Sequence, residues 1–583
     1  MRAERFPSIG RLVQSNPARI SILMAAYVAL FTVLSYLRYM NFYTGNWDLG
    51  INIQEMWSTN HGMLMYEAAD YENYFAITHL EIHTTLVAIP FAYLYAVFPT
   101  PATLFAMESL FTALAVVPLY LITSRITDDR RIIYGTLLVY LLSMGIVSSL
   151  LDDFHWMTLV PVEYLFFFYL LWQKKHALSL IPFAAGIFTE EVFPILAASI
   201  ILYLGFSRWN TGMFLIHKRV REREWLLYLG YLVLSGMSFL FLRYLQSVYF
   251  PALFNNEIAV SYLNASFDPF YNPIPSASAL GNGLMYWAIL YASLGFIPLL
   301  HRKHFILAAP WIYETVFVLP NYSGLGNQYA FIGIPPLMVG FMLGLTRLLE
   351  AREVTLKRIA RYSSIGVLAA ASSFLVFTAV IDRLFIVSTV SLAALILVFI
   401  FVKWKMNTDL LSRNPFRIPS SKPALVVTFI VILIAANVLF SPLGPAAVGT
   451  SQHSGGYAFG YGTNPEFPYA SRLAAMVGHD GHVLASENLF PLVAEDIHAY
   501  SLASRGTPSE QHYYGFPFNE TNLPEFVFVD QWEMGSLPQY LLSAISNASV
   551  YGLLGAVYTS VSYPGNIYLY ELDYNGSATI YTA

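Results

Sequence analysis

The sequence predicts an all-α polytopic membrane domain of about 13 membrane segments, followed by a small extracytoplasmic domain of α/β or α+β type. Of the 583 residues, 56 % are hydrophobic and only 11 % are charged, whereas soluble domains carry about 25 % charged residues. Apolar runs repeat from residue 20 to residue 440, and the composition then becomes rich in Gly, Pro, Asn and Ser. We therefore assign residues 1–19 to a cytoplasmic N-terminus, 20–440 to the membrane domain and 441–583 to the outer domain.

Basic residues set the orientation of the first span. Arg2, Arg5, Arg11 and Arg19 precede the apolar run at residues 20–38, which places the N-terminus in the cytoplasm by the positive-inside rule. A small-residue cleavage site is lacking, so we predict a retained first helix and not a signal peptide. The protein is thus expected to be a multi-pass protein of the cell membrane.

The first outer loop then covers residues 39–102. The next apolar run, at 103–123, ends in a basic loop that must lie inside, so 103–123 crosses inward. The apolar stretch at 84–98 is therefore predicted to be an interfacial or re-entrant helix within the outer loop.

The apolar run at 177–205 is predicted to be broken. Basic residues on both sides place its two ends in the cytoplasm. The simplest arrangement has two half-helices that meet near Glu190 and Glu191, each too short for a hydrocarbon core of about 30 Å. The turn between them would lie in a water-filled cavity open to the outside.

The remaining topology follows from alternating basic loops. Further spans are predicted at 132–150, 157–172, 225–249, 284–300, 305–320, 328–346, 362–381, 384–402 and 424–440. Five Asn-X-Ser/Thr sequons all fall on the predicted outer side, as external glycosylation requires; they begin at Asn264, Asn321, Asn519, Asn547 and Asn575.

The outer domain is predicted to contain a small sheet. Residues 482–486 and 526–530 have the pattern of short buried strands, and helices are expected near 468–477 and 537–547. Residues 556–574 alternate around Pro-Gly-Asn, which indicates a hairpin.

Acidic residues from three separate segments are predicted to meet on the outer face. They are Asp48 in the first loop, Asp152 and Asp153 in the second, and Glu190 and Glu191 in the broken helix. Each carboxylate within a membrane costs about 2.5–3.5 kcal/mol on insertion scales, which favours a functional role. The alternatives are helix or loop caps for the three aspartates and an internal salt bridge for the glutamates.

Histidines accompany these acids. His155 follows the second loop, and His79 and His83 have the i, i+4 spacing that places both rings on one helix face. This pair suits a metal ion, but it is not the zinc-protease pattern, because Glu81 does not directly follow the first histidine. The chain has no cysteine, no nucleotide-binding glycine loop and no nucleophile elbow. A nucleic-acid partner is not predicted.

The same residues resemble an uncharacterised prokaryotic family of multi-spanning proteins, catalogued as domain of unknown function 2079. The resemblance covers residues 20–350 and extends loosely into the outer domain. The matching motifs are Trp47-Asp-Leu-Gly50, Leu86 to Pro101, Thr103-Leu104, Asp153-Phe-His155, Thr189-Glu-Glu191 and Ser486-Glu-Asn-Leu-Phe-Pro491. Two departures are that Thr189 replaces the family's usual Lys and that Asn327-Gln-Tyr329 stands where His-Tyr is common.

The layout also resembles the GT-C glycosyltransferases, which take a sugar from a polyprenyl-phosphate carrier at the outer face. The resemblance implies transfer of a hexosyl or pentosyl group to an external glycan or protein acceptor. Asp48 would be the general base or a metal-linked acid, acting with Asp153, Glu190 and Glu191. The implied substrate-binding residues are Trp47, Asn52, Gln54, His155, Gln328 and Tyr329. Mg²⁺ or Mn²⁺ would suit Asp152, His79 and His83, and His155, the ion or an arginine such as Arg243 or Arg302 would hold the carrier phosphate.

Two other functions remain open from the sequence. A transporter or flippase for lipid-linked glycans would carry acids at mid-depth in several helices and often shows two similar halves. The spans after residue 225 are nearly free of acids, with Glu314 as the main exception, and no second copy of the motif is found. A non-enzymatic envelope-assembly protein would not require the acids.

Overall fold

The structure is a computed structural model. It describes residues 16–69, 76–209, 218–254, 277–318, 320–324, 327–350, 422–443, 463–479, 481–502 and 517–583. The predicted spans at 362–381 and 384–402 and the sequon at Asn264 lie outside the described residues, whereas Asn519, Asn547 and Asn575 are exposed on the outer domain.

The described chain up to residue 443 is helical. In chain order the helices are α1 (Asn16–Met40), α2 (Ile51–Asn60), α3 (Ala88–Tyr95), α4 (Pro101–Leu114), α5 (Val116–Thr123), α6 (Arg130–Leu141), α7 (Met144–Leu150), α8 (Val160–Trp172), α9 (His176–Thr189), α10 (Phe193–Trp209), α11 (Lys218–Tyr244), α12 (Phe250–Leu253), α13 (Ala277–Ser293), α14 (His304–Tyr313), α15 (Ala330–Glu350) and α16 (Lys422–Phe440).

Four of the described helices are long and apolar enough to cross a membrane. They cover Pro17–Met40, Pro101–Thr123, Glu224–Leu253 and Ala330–Glu350, and a fifth crossing results if α6 and α7, bent by 44°, form one span. The number of about 13 segments is thus not reproduced within the described residues. Apolar helices of 10–17 residues account for part of the difference.

Local backbone features shorten several predicted spans. The run at 284–300 is interrupted because α13 ends at Ser293 and the next turn has positive φ at Gly295 (58°) and Phe296 (55°). A left-handed residue cannot continue an α-helix, and glycine adopts it without steric cost. In the run at 305–320, the α-helix ends at Tyr313 and the chain continues as a short π-helix, Glu314–Val318.

The bend between α6 and α7 has an identifiable partner. Breaking the helix at Leu142 and Ser143 frees a backbone N–H, and that of Met144 donates to Oδ1 of Asn437 (3.0 Å) in α16. The Asn437 amide donates in turn to the carbonyl of Ser293 (2.7 Å). One buried side chain therefore joins α7, α13 and α16, as hydrogen-bond satisfaction in an apolar interior requires.

The structure shows the predicted break in the run at 177–205 and a short helix within the run at 84–98. Helix α9 ends at Thr189 and α10 begins at Phe193, so the run at 177–205 breaks at the acid pair. Helix α3 has only eight residues, about 12 Å of helix, which is too short to cross. It begins against the break, because the N–H of Val87 donates to the carbonyl of Phe188 (2.9 Å).

The C-terminal domain, called the outer domain after its predicted location, contains a six-stranded mixed sheet within its described residues. Its elements are α17 (Phe467–Val477), β1 (Val483–Ala485), β2 (Ala499–Ser501), β3 (Phe526–Asp530), α18 (Gln539–Ile545), β4 (Tyr551–Tyr558), β5 (Ile567–Leu572) and β6 (Thr579–Thr582). The strand order is β2-β1-β3-β5-β4-β6. Strand β1 pairs in parallel with β2 and β3, β5 is antiparallel to β3 and β4, and β6 is parallel to β4.

The outer domain packs directly on the first outer loop. Gln54 in α2 donates from Nε2 to the carbonyls of Asp496 (2.6 Å) and Ala499 (3.1 Å), and its Oε1 accepts the N–H of Ala68 (2.7 Å). The hydroxyl of Tyr95 donates to Oε1 of Glu495 (2.8 Å). Because Gln54 is fully buried and its amide joins the two units, these bonds argue against its predicted contact with substrate.

Gly50 marks the closest approach between the loop and the domain. A Cβ atom at Gly50 would lie 2.5 Å from Cδ1 of Phe490, whose ring is buried. The backbone of Gly50 is helical (φ −61°), so only packing, and not conformation, opposes a larger residue.

We expect Gly50→Val to loosen this contact and to lower the free energy of unfolding by about 1–3 kcal/mol, as overpacking does. Thermal unfolding and limited proteolysis in detergent would measure the change. Gly535→Val is the matched control, since nothing lies within 4 Å of a Cβ at that position. Equal stability of the two variants would contradict the close approach at Gly50.

Candidate active site

Asp48 lies on a one-turn π-helix, Asn46–Gly50, between α1 and α2. Arg38, in the last turn of α1, fixes the approach by donating to the carbonyls of Tyr43 (3.0 Å) and Asp152 (3.3 Å). Phe42 turns the chain with a φ of 60°. The first outer loop is thereby tied to the second before it reaches Asp48.

His155 holds the Asp48 carboxylate directly. Its Nε2 lies 2.6 Å from Oδ1 of Asp48, and its Nδ1 lies 3.1 Å from the carbonyl oxygen of Asp153. When Asp48 is ionised both partners are acceptors, and this favours a ring that carries a proton on each nitrogen, an imidazolium. Burial lowers the pKa of His155, but the carboxylates of Asp48, Asp152 and Asp153 outweigh it and raise the pKa to about 9.

Asp153 is fixed by backbone donors. Its Oδ2 accepts the N–H of Gly45 (3.1 Å) and its Oδ1 accepts that of Phe154 (3.0 Å). Burial, followed by the charge of Asp48, raises the pKa of both Asp152 and Asp153 to about 7. Asn52 donates to the carbonyls of Asp48 (2.8 Å) and Phe154 (3.4 Å), which joins the two loops again.

Glu108 completes this site, although the sequence analysis did not single it out. Its Oε1 accepts the N–H of His155 (3.2 Å), and its Oε2 has no hydrogen-bond partner among the described residues. The residue is fully buried within α4. The available signal was a lone acid inside an apolar run, which is a functional candidate in a membrane.

The acid pair of the broken helix belongs to a neighbouring cluster. Oε1 of Glu191 lies 2.9 Å from Nδ1 of His83. Arg243 is close to Glu191 and donates to Oε1 of Gln246 (2.8 Å), whose amide nitrogen bonds the carbonyl of Ile82. The break in the helix, the first outer loop and α11 thus meet at one place. Glu163, also missed from the sequence, accepts from the hydroxyl of Thr189 (2.7 Å) beside it.

Tyr329 lies between the two clusters. Burial, Tyr322, Asp48 and Glu190 all raise its pKa, so its hydroxyl is within electrostatic reach of both acids. Its ring stacks on Tyr322 at 4.2 Å, and the hydroxyl of Ser149 anchors this segment by donating to the carbonyl of Asn327 (2.6 Å). Gln328 is half-buried next to it, and Trp47 is half-buried beside Asp48.

The residues predicted to bind a metal do not form one ligand set. His79 pairs with Glu55 (3.3 Å) and His83 with Glu191. Asp152 instead interacts electrostatically with Asp48 and His155. Within the described ranges, no three His, Asp or Glu side chains are arranged to hold a metal ion. The donors present therefore do not fit a divalent cation in this arrangement, and the positive charge beside Asp48 is supplied by His155.

Comparison with known proteins supports the family resemblance. The family of predicted membrane proteins known as DUF2079 matches residues 38–388, which is more than half of the 583 residues. The chain belongs to this family. The family match includes the segments that carry Asp48, Asp153, His155 and the acid pair.

Comparison with solved structures gives a distant likeness. The Archaeoglobus fulgidus oligosaccharyltransferase, solved while tethered by a disulfide bond to an acceptor peptide containing the NVT sequon, is similar with a TM-score of 0.37 and 12 % sequence identity. The match covers 95 % of this chain and 74 % of that chain. No curated protein matches the chain.

Proposed function

We propose that this member of the DUF2079 family is a membrane glycosyltransferase of GT-C type, which moves a sugar from a polyprenyl-phosphate donor to an acceptor at the outer face. The observation that carries the proposal is the contact between Asp48 and protonated His155, with Asp153 and Glu108 packed around them. Such an arrangement fixes a carboxylate in one orientation at a membrane boundary. Carboxylates positioned in this way serve as general bases.

In the proposed reaction, an acceptor hydroxyl attacks the anomeric carbon of the donor sugar. A new bond forms between that oxygen and the anomeric carbon, and the bond to the phosphate oxygen breaks, so polyprenyl phosphate leaves with the electron pair. The Asp48 carboxylate accepts the hydroxyl proton through the oxygen that does not bond His155. The imidazolium orients the carboxylate and does not enter the transfer.

Arg243 is the better of the two arginines for the carrier phosphate. It lies beside Glu191, at the start of α10. Arg302, by contrast, is flanked by His301, which contacts Tyr203 (2.9 Å), and by Lys303, which donates to the carbonyl of Phe206 (3.0 Å). These contacts place Arg302 near the other end of α10, about 20 Å away along the helix.

The proposal is tested by incubating the purified full-length protein in nanodiscs with radiolabelled polyprenyl-phosphate hexoses and pentoses. We expect time-dependent loss of the label from the lipid fraction and its appearance on an acceptor or in water. Heat-treated protein is the control for spontaneous hydrolysis. If no donor loses its label above this control, the glycosyltransferase proposal is wrong.

A further inference from the structure

A second group of polar residues lies in the outer domain, on the side that faces the first outer loop. It is formed by the turns after β1 and β3. Oδ1 of Asp530 accepts the N–H of Glu533 (2.8 Å), and Oε2 of Glu533 accepts the N–H of Glu487 (3.0 Å). Burial, followed by Asp530, raises the pKa of Glu533 to about 8, so this carboxyl group is largely neutral at pH 7.

Asn488 is the feature of this group that points to a ligand. It is 8 % exposed, and its Oδ1 has no hydrogen-bond partner among the described residues. Its side chain lies between the carboxyl group of Asp530 and the hydroxyl of Tyr563. An acceptor left unpaired in a buried position is unfavourable, and a ligand that donates a hydrogen bond would satisfy it.

An aromatic platform stands beside Asn488. Trp532 is 65 % exposed, yet its orientation is fixed because Nε1 donates to the carbonyl of Ser562 (2.7 Å). Its ring lies 6.2 Å from that of Tyr563. Tyr563 stacks on Tyr43 of the first outer loop at 5.9 Å and donates from its hydroxyl to the carbonyl of Phe42 (3.2 Å). The platform is therefore rigid and open to solvent.

Glu487 of the polar group packs against Gly45, which directly precedes the Asp48 turn. A Cβ atom at Gly45 would lie 3.2 Å from Oε1 of Glu487, and the N–H of Gly45 donates to Asp153. A ligand bound at the platform would thus lie next to the segment that leads into Asp48.

The ligand class follows from these groups. An exposed, fixed indole face suits the C–H face of a sugar ring, and unpaired oxygen acceptors suit sugar hydroxyls. The carboxylate of Asp530 can accept a hydrogen bond from a sugar hydroxyl, and within the described ranges no three acidic or histidine side chains are placed to hold a metal ion. A hydroxyl-rich ligand with an apolar ring face meets these conditions.

We infer that Trp532, Asn488 and Asp530 form a carbohydrate-binding subsite that holds a glycan acceptor beside the Asp48 turn. The part of this inference that concerns an acceptor rests on the proposed glycosyltransferase function. The part that concerns binding does not, since it requires only that an oligosaccharide occupy the platform.

Saturation-transfer difference NMR tests the subsite on the full-length protein in nanodiscs. The probes are maltotriose, cellotriose, mannotriose and chitotriose, each titrated separately. We expect at least one trisaccharide to bind, and Trp532→Ala to raise its Kd by about fivefold or more, which corresponds to about 1 kcal/mol for an aromatic contact. Trp532→Phe, which keeps an aromatic face, should recover part of the affinity.

Ile580→Ala is the matched control. Ile580 is 50 % exposed on β6, three strands along the sheet from β3 and about 14 Å away, and its replacement should leave binding unchanged. Binding of none of the four trisaccharides, or equal affinity in Trp532→Ala and wild type, would overturn the subsite.

The same experiment separates the two proposals. Asp48→Asn should bind the trisaccharide as wild type does, because Asp48 is not part of the platform. Glycan binding without any sugar transfer would support the subsite and contradict the glycosyltransferase proposal. Sugar transfer to water without glycan binding would support the glycosyltransferase proposal and contradict the subsite.

Discussion

Asp48→Asn is expected to lower the rate of sugar transfer by about 10²–10⁴-fold, the usual contribution of a general base. The amide keeps the shape of the side chain and can still contact His155, but it cannot accept the acceptor's proton. The variant should also lose some stability, because the carboxylate that raises the pKa of the buried His155 is removed, so rates are compared for folded protein at matched concentration. Initial rates of label release from polyprenyl-phosphate sugars would measure the effect.

The control for this variant is Asp128→Asn. Asp128 lies in the loop between α5 and α6, at the opposite end of α4 and α5 from the site. The Asp128→Asn variant carries the same chemical change away from the Asp48 turn, so its rate of sugar transfer should equal that of wild type. Full activity in Asp48→Asn would exclude Asp48 from the mechanism.

His155→Ala is expected to have an effect of similar size, about 10²–10³-fold, because it removes both the hydrogen bond and the positive charge that orient Asp48. His155→Gln separates the two contributions. A glutamine amide can still donate to Oδ1 of Asp48 but carries no charge, and it should give an intermediate rate. Equal rates in wild type and both variants would show that the contact has no role in catalysis.

The pH dependence of the rate follows from the same contact. The pKa of His155 is raised from 6.5 to about 9, so the folded protein keeps the imidazolium well above the pKa of free histidine. Its contribution to stability is complete below pH 6.5 and is lost as the pH rises through 9. The rate should therefore fall above pH 9 in wild type, and this alkaline limb should be absent in His155→Gln. A limb that persists in the glutamine variant would assign it to another group.

Much of the local structure of both domains could be predicted from the sequence. The break in the run at 177–205 was predictable because basic residues flank both of its ends and because Glu190 and Glu191 are costly in hydrocarbon. The β4–β5 hairpin was predictable from its alternation and its Pro-Gly-Asn turn. Strands β2 and β6 were missed because three or four residues with mixed polarity give no period to detect.

Within the described residues, fewer helices than predicted are long enough to cross a membrane, for a different reason. Hydropathy measures how apolar a run is, but not whether its backbone stays helical. Gly295 and Phe296 end α13 within an apolar run, and Pro310 lies within a helix of ten residues. Such interruptions are visible only when the backbone is traced.

The composition of the candidate site was partly predictable, and its connections were not. Asp48 and His155 could each be selected as polar residues at a membrane boundary, but nothing in the sequence specifies that they bond each other. That contact depends on how α1, α7 and the one-turn π-helix that carries Asp48 pack together. The burial of Gln54 likewise depends on a domain that begins hundreds of residues later.

The bonds from Gln54 to Asp496 and Ala499 also bear on the order in which the protein matures during synthesis. They join residues 442 and 445 positions apart, so α2 emerges from the ribosome long before its partners do. Until residues 496 and 499 have been made, the buried amide of Gln54 lacks these two partners. A partly made chain would therefore form α2 before the surface on which this helix packs exists.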